Sequence, residues 1–144
     1  MIIYSDKTLK SWQGGRQFWF LAIIRPEHRG KRHIVEHEKE HIRQWWAVTA
    51  TAAIALAVVV FGAIDMGHLL WRDEYFAVCA LPPSLHGILY LASKRYRLWA
   101  EVRAYRVSLR YRPESLDHYA RTLSEKYGLN ITAENAKELL KWNG

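Results

Sequence analysis

The sequence predicts a predominantly helical α+β domain with a short N-terminal β region and a hydrophobic helical hairpin set between two charged helices. Three observations carry this: a charged helical segment near residues 31–46, an uncharged apolar run at 47–64, and a basic segment at 93–112 with helical spacing. At 144 residues the chain suits a single domain spanning 1–144. Half of its residues are hydrophobic, and seven Trp and eight Tyr are many for a soluble chain of this length, so an unusual amount of apolar surface must be covered.

Taken in order, residues 1–30 form the β region. Residues 18–24 (Phe-Trp-Phe-Leu-Ala-Ile-Ile), bounded by Gly14-Gly15 and Pro26, read as one buried strand ahead of a helix. The first seven residues lack the apolar core of a secretory signal, so no leader is expected. Gly30 breaks the chain and a helix is expected to start near Arg32. Residues 47–92 form the hydrophobic hairpin. Its first arm, 47–64, carries no charge over about 18 residues, the lower limit for crossing a bilayer, and Trp45 and Trp46 precede it like interface markers. Its second arm runs from Tyr75 through Leu91, broken by Pro82-Pro83, with Trp71-Arg72-Asp73-Glu74 as a polar turn between the arms. A core helix is the alternative to insertion. Residues 93–112 form the next helix, and 113–144 a pair of C-terminal helices: one opening at Pro113-Glu114 and stopped by Gly128, one capped by Thr132 and running to Trp142.

Chemistry concentrates in His37-Glu38-Lys39-Glu40-His41. On a helix His37 and His41 share a face and can offer two imidazole nitrogens to one ion, with Glu38 beside a water that the ion activates. The competing interpretation is a solvated helix, in which Glu36, Lys39 and Glu40 are surface neighbours. A catalytic zinc needs a third protein ligand, and Glu101 is the candidate, on a helical face shared with Tyr105 beside the small Ala104. Its alternative is a surface carboxylate paired with Arg97 or Arg103. Asp65, Asp73 and Glu74 are weaker candidates. His33 lines up with both motif histidines, but three imidazoles spread over about 12 Å of helix are too far apart for one ion, which leaves His33 beside the site or on the surface. Cys79 is the only cysteine, so neither an intrachain disulfide nor a multi-thiolate cluster can form, and it reads as a small buried hydrophobe.

The pair of motifs, His-Glu-x-x-His followed by Ile42-Arg43-Gln44 and, after an apolar stretch, Tyr96-Arg97 through Glu101 to Ala104-Tyr105, resembles the minimal gluzincins of small bacterial and phage proteins. The resemblance covers roughly residues 17–112. It implies a zincin-like fold, Zn²⁺ bound by His37, His41 and Glu101, Glu38 as general base, and an edge strand beside the active helix that holds an extended peptide or protein substrate, with residues 18–24 as the candidate. Gln44, Tyr105 and His33 are the residues expected to support the ligands.

Lys and Arg flank both charged helices, giving a net charge of +7 and a pI near 9.7. Cations beside apolar spans fit anionic lipid headgroups and place both ends of the hairpin, and with them the site, on the cytoplasmic side. Arg alternating with Tyr and Trp over residues 94–112 also fits nucleic acid, but no nucleic-acid module is present and lipid is the better expectation. The functional expectation is a membrane-associated zinc peptidase; the alternative is a non-catalytic structural protein of a membrane or phage particle, soluble or cytoplasmic in the absence of insertion.

Overall fold

The computed structural model describes residues 1–11, 13–65 and 80–141. Three short strands, β1 (Ile2–Tyr4), β2 (Gly15–Phe18) and β3 (Leu21–Ile24), form a sheet of order β1-β3-β2. The central β3 runs parallel to β1 and antiparallel to β2, with Gly15 opposite Ile24 and Phe18 opposite Leu21. Ala22 and Ile24 of β3 are fully buried, as alternate residues on one face of a strand must be.

The single strand expected over residues 18–24 is instead a hairpin. The chain reverses at Trp19 and Phe20, with Trp19 at φ 55°, a turn position usually given to glycine. Gln17 holds the reversal by donating its side-chain amide to the Trp19 carbonyl, and the Phe18 and Trp19 rings stack at 5.6 Å. An aromatic turn running straight into the apolar β3 leaves no compositional break to read over residues 18–24.

Five helices follow among the described residues. α1 (Arg32–Asp65) has 34 residues and begins after Gly30, which sits at φ +86°. Its first half packs on the sheet and on the later helices. Beyond Trp46 it is apolar and uncovered by the described residues: Ile54, Val58, Val59 and Phe61 are each about two-thirds exposed. Its most apolar 18-residue window has only 6% of its residues buried among the described residues, and by length and composition this helix is long and apolar enough to cross a membrane. The two tryptophans at the junction differ. Trp46 is exposed, whereas Trp45 is buried and donates its indole N–H to the Pro83 carbonyl at 2.8 Å.

α2 (Leu81–Ala92) packs along α1, and here Pro82-Pro83 opens the helix at its first positions, where a missing N–H costs nothing, rather than breaking it. At 12 residues, about 18 Å, α2 is too short to span a bilayer. The polar turn at 71–74, Cys79 and the start of the expected second arm lie outside the described residues, as does Trp142. Ser93 alone joins α2 to α3 (Lys94–Leu109) and caps it by accepting from the Tyr96 N–H. A 3-10 turn at Pro113–Ser115 leads into α4 (Leu116–Lys126), and α5 (Ala133–Lys141) closes the chain's described part. The C-terminal signals act as expected: Gly128 turns at φ +63°, and the Thr132 hydroxyl accepts from the Asn135 N–H at 3.1 Å. Val102, Tyr105, Tyr119, Leu123, Leu129 and Leu140 join α3, α4 and α5 in one core.

A candidate metal centre between two helices

α1 and α3 meet closely because α3 presents Ala100 and Ala104, both fully buried, to its partner. Two side-chain bonds fix the meeting lengthwise. Gln44 Nε2 donates to the Ala100 carbonyl at 3.1 Å, and Ser108 Oγ donates to the His33 carbonyl at 3.0 Å. Between these clamps the i, i+4 spacing of His37 and His41 aims both imidazoles at Glu101. His37 Nε2 lies 3.7 Å from Glu101 Oε2, and His41 Nε2 lies 3.5 Å from Oε1. One ligand atom from each of the three residues falls within 4.8 Å of the others, a cluster that could hold a metal ion. Two imidazoles and a carboxylate suit divalent ions of intermediate softness.

The far nitrogens of both rings are held as well. Gln44, having turned its amide N–H₂ to Ala100, presents Oε1 to His41 Nδ1 at 3.2 Å, so that nitrogen carries a proton. Ser108 has one hydroxyl proton, directed to a carbonyl, so it accepts from His37 Nδ1 at 3.3 Å. Both Nε2 atoms are thereby left to face the cluster, the orientation that metal-binding histidines obtain from such partners. Tyr90 of α2 donates its hydroxyl to Glu101 Oε1. Glu101 Oε2 is buried without a hydrogen-bond partner among the described residues, and so is Glu38 Oε2. Two buried carboxylate oxygens without donors are costly unless something cationic or protic meets them, so the residues fit a bound metal ion.

Burial alone would raise the Glu101 carboxyl, but the charge of His41 and the closeness of both imidazoles outweigh it and hold the group well below the usual carboxylate range. His41 shows the reverse balance: burial pushes it down, yet Glu101 and Glu38 raise it to about 9 in the metal-free protein. Burial dominates at Glu38 and pushes its carboxyl up against the pull of the two histidines. Glu38 also packs on the sheet edge, since a Cβ on Gly15 would lie 2.7 Å from its Oε1.

The structure thus brings His37, Glu38, His41 and Glu101 together, buried, with His37 the most open at 9%. Glu101 is no surface carboxylate. Its expected rivals for it are occupied elsewhere: Arg97 donates to the Tyr90, Leu91 and Tyr127 carbonyls, and Arg103 reaches Glu40 at 3.2 Å. Gln44 supports His41 as expected, and Tyr105 lays its ring against His37 at 4.5 Å. His33 stands outside the cluster and contributes only its backbone carbonyl, through Ser108; burial, then Arg112 and Lys31, depress its imidazole. The solvated-face interpretation holds for the Glu36–Lys39 pair at 2.7 Å and fails for Glu40, which is 5% exposed and bridges α1 to α3 through Arg103. Asp73 and Glu74 lie outside the described residues.

Three site residues were not foreseen. Ser108 lies seven residues after Glu101, hence on its helical face, and that spacing is a readable signal. Tyr90 is hidden in an apolar run, and the role of Gly15 depends on a strand-to-helix contact that local sequence does not encode. No family model, curated protein or solved structure matches the chain.

Proposed function

We propose that the protein is a zinc-dependent peptidase with a zincin-like active site of the gluzincin type, working at a membrane surface. The observation that carries this is the convergence of His37, His41 and Glu101 within 4.8 Å, with the buried carboxylate of Glu38 beside them. A zinc ion held by these three residues supplies a Lewis acid that polarises a peptide carbonyl and lowers the pKa of a water toward neutrality.

The chain's own groups do the rest. Glu38 Oε2, without a donor of its own, takes the proton as water oxygen bonds to the carbonyl carbon, and returns it to the departing amine as the C–N bond breaks. A carboxyl raised by burial is a better base for this work than an ordinary one. Tyr90 and the two histidine partners hold the ligands in place. The edge strand that would align an extended substrate is β2, not the whole of residues 18–24, because of the two outer strands β2 is the one whose Gly15 abuts Glu38.

The apolar half of α1 supports insertion in the bilayer. The basic residues around both site helices lie at one end of it, which by the positive-inside rule is cytoplasmic. The test is metal content together with hydrolysis. Protein purified without added metal is expected to carry close to one zinc per chain and to cleave a broad peptide mixture, with both properties lost in His37→Ala and His41→Ala. A folded native protein that neither holds nor takes up zinc overturns the reading, and zinc without any hydrolysis leaves the structural alternative.

A further inference from the structure

Two hollows meet at His37 and Glu38. One, about 380 Å³, is the more polar and carries Lys31 and Arg112 together with His28, His33 and His118. The other, about 600 Å³, is walled by Phe18, Trp19, Trp45, Ile88 and Leu91. Gln13, Gly15, His37, Glu38, Lys126 and Tyr127 line both, so the hollows are two arms of one cleft with Glu38 and Lys126 at the waist.

The charge in the polar arm is one-sided. Glu38 is the only carboxylate among its lining residues, and its charge belongs to the chemistry. Lys31 rests on His28 Nδ1 at 3.0 Å and has no ion pair among the described residues. Arg112 meets Glu114 at 2.9 Å, but that carboxylate is two-thirds exposed and screened, as is Glu27 beside His28 at 3.7 Å. The apolar arm offers rings and aliphatic side chains, and its Arg97 is engaged by three backbone carbonyls. The exposed Lys10 and Arg16 also line this arm, as does Lys126, whose partner Glu125 at 3.9 Å is half-exposed and screened, so neither arm repels an acidic chain and the rings and aliphatic side chains set the two apart.

We infer that the cleft selects an extended peptide that is apolar on one side of the waist and acidic on the other. This rests on the peptidase reading for the purpose of the selection, while the selection itself is a matter of binding. A cationic wall attracts Asp and Glu side chains and rejects Lys and Arg, and half-exposed rings and aliphatic side chains favour large apolar side chains that cover them.

The Glu38→Gln protein, which retains the cleft without turnover, is titrated with fluorescent twelve-residue peptides. Each carries the same apolar half, joined in either order to an acidic, basic or neutral half. The acidic peptide is expected to bind about tenfold or more tighter than the basic one at low salt, with the gap narrowing as salt rises. Lys31→Glu with Arg112→Glu, two exposed positions, is expected to reverse the preference while leaving thermal unfolding unchanged. Equal binding of acidic and basic peptides, a preference untouched by the double variant, or an oligonucleotide that displaces the acidic peptide at lower concentration each overturns the inference. Wild-type protein that cleaves without regard to charge overturns it too and leaves the peptidase reading intact. Selective binding with no hydrolysis of any peptide does the converse.

Discussion

Glu38 and Glu101 are both buried carboxylates next to the same two histidines, yet their neighbours assign them different work. Glu101 accepts from the Tyr90 hydroxyl and lies against both imidazoles, whereas Glu38 Oε2 has no hydrogen-bond partner among the described residues and its Oε1 lies against the Gly15 backbone. Glu38→Gln is therefore expected to keep zinc and lower peptide hydrolysis by about 10² to 10⁴, the usual loss for a general base, while Glu101→Gln loses metal affinity as well. Metal analysis of the two variants beside their turnover checks this, and equal zinc content in both would remove the distinction. Gly15→Ala tests the same carboxylate from the other side. The new methyl can be accommodated only if Glu38 moves, so hydrolysis is expected to fall while zinc content and thermal midpoint stay near those of the parent. Unchanged turnover would show that the Glu38 position does not matter.

At the level of elements, α1 is two helices in one. Residues up to Trp45 are patterned, with buried His37, Glu38, Glu40, His41 and Gln44 set against a sheet and α3; beyond Trp46 the helix is uncharged through Gly62 and largely uncovered by the described residues. A helix apolar on every side that is not covered by protein needs another apolar medium. The chain is expected to fractionate with membranes and resist carbonate extraction. Val58→Arg with Val59→Arg, each costing about 2.5–3.5 kcal/mol at a helix centre in a bilayer, is expected to release it. Full recovery of the parent in the soluble fraction would contradict insertion, without touching the candidate metal site in the first half of α1.

Across the whole molecule the site couples protonation to stability. In the metal-free protein His41 is raised to about 9, so its stabilising charge is complete below its unfolded value near 6.5 and is lost as pH climbs through 9. Glu101 contributes in the opposite sense: its stabilisation is present above the ordinary carboxylate range and is lost on acidification. Chelator-treated protein is therefore expected to unfold at its highest temperature near pH 6 and to lose several degrees by pH 10, at about 2–8 °C per kcal/mol. Zinc, by replacing that proton, should flatten the alkaline limb and raise the midpoint with concentration. Thermal scans with and without zinc at pH 6, 8 and 10 measure both, and an alkaline limb that is the same in both would deny that His41 is the coupling group.

Helical spacing alone placed His37 and His41 on one face, a start near Arg32, the α3 face shared by Glu101 and Tyr105, and the caps at Thr132 and Gly128, because each depends on residues within a turn or two of one another. Composition alone marked residues 47–64 as too apolar for water. Tertiary structure decided the rest. Glu101 became a partner of His37 and His41 rather than of Arg97 or Arg103 because Ala100 and Ala104 let α3 approach α1 closely, and because backbone carbonyls and Glu40 engage those arginines. Residues 18–24 became a hairpin because Gln17 and the sheet hold Trp19 in a left-handed turn that its side chain does not announce. Tyr90, Ser108 and Gly15 acquired roles from elements brought beside the site from tens of residues away in the chain. A local pattern specifies which groups share a face; only packing specifies what that face meets.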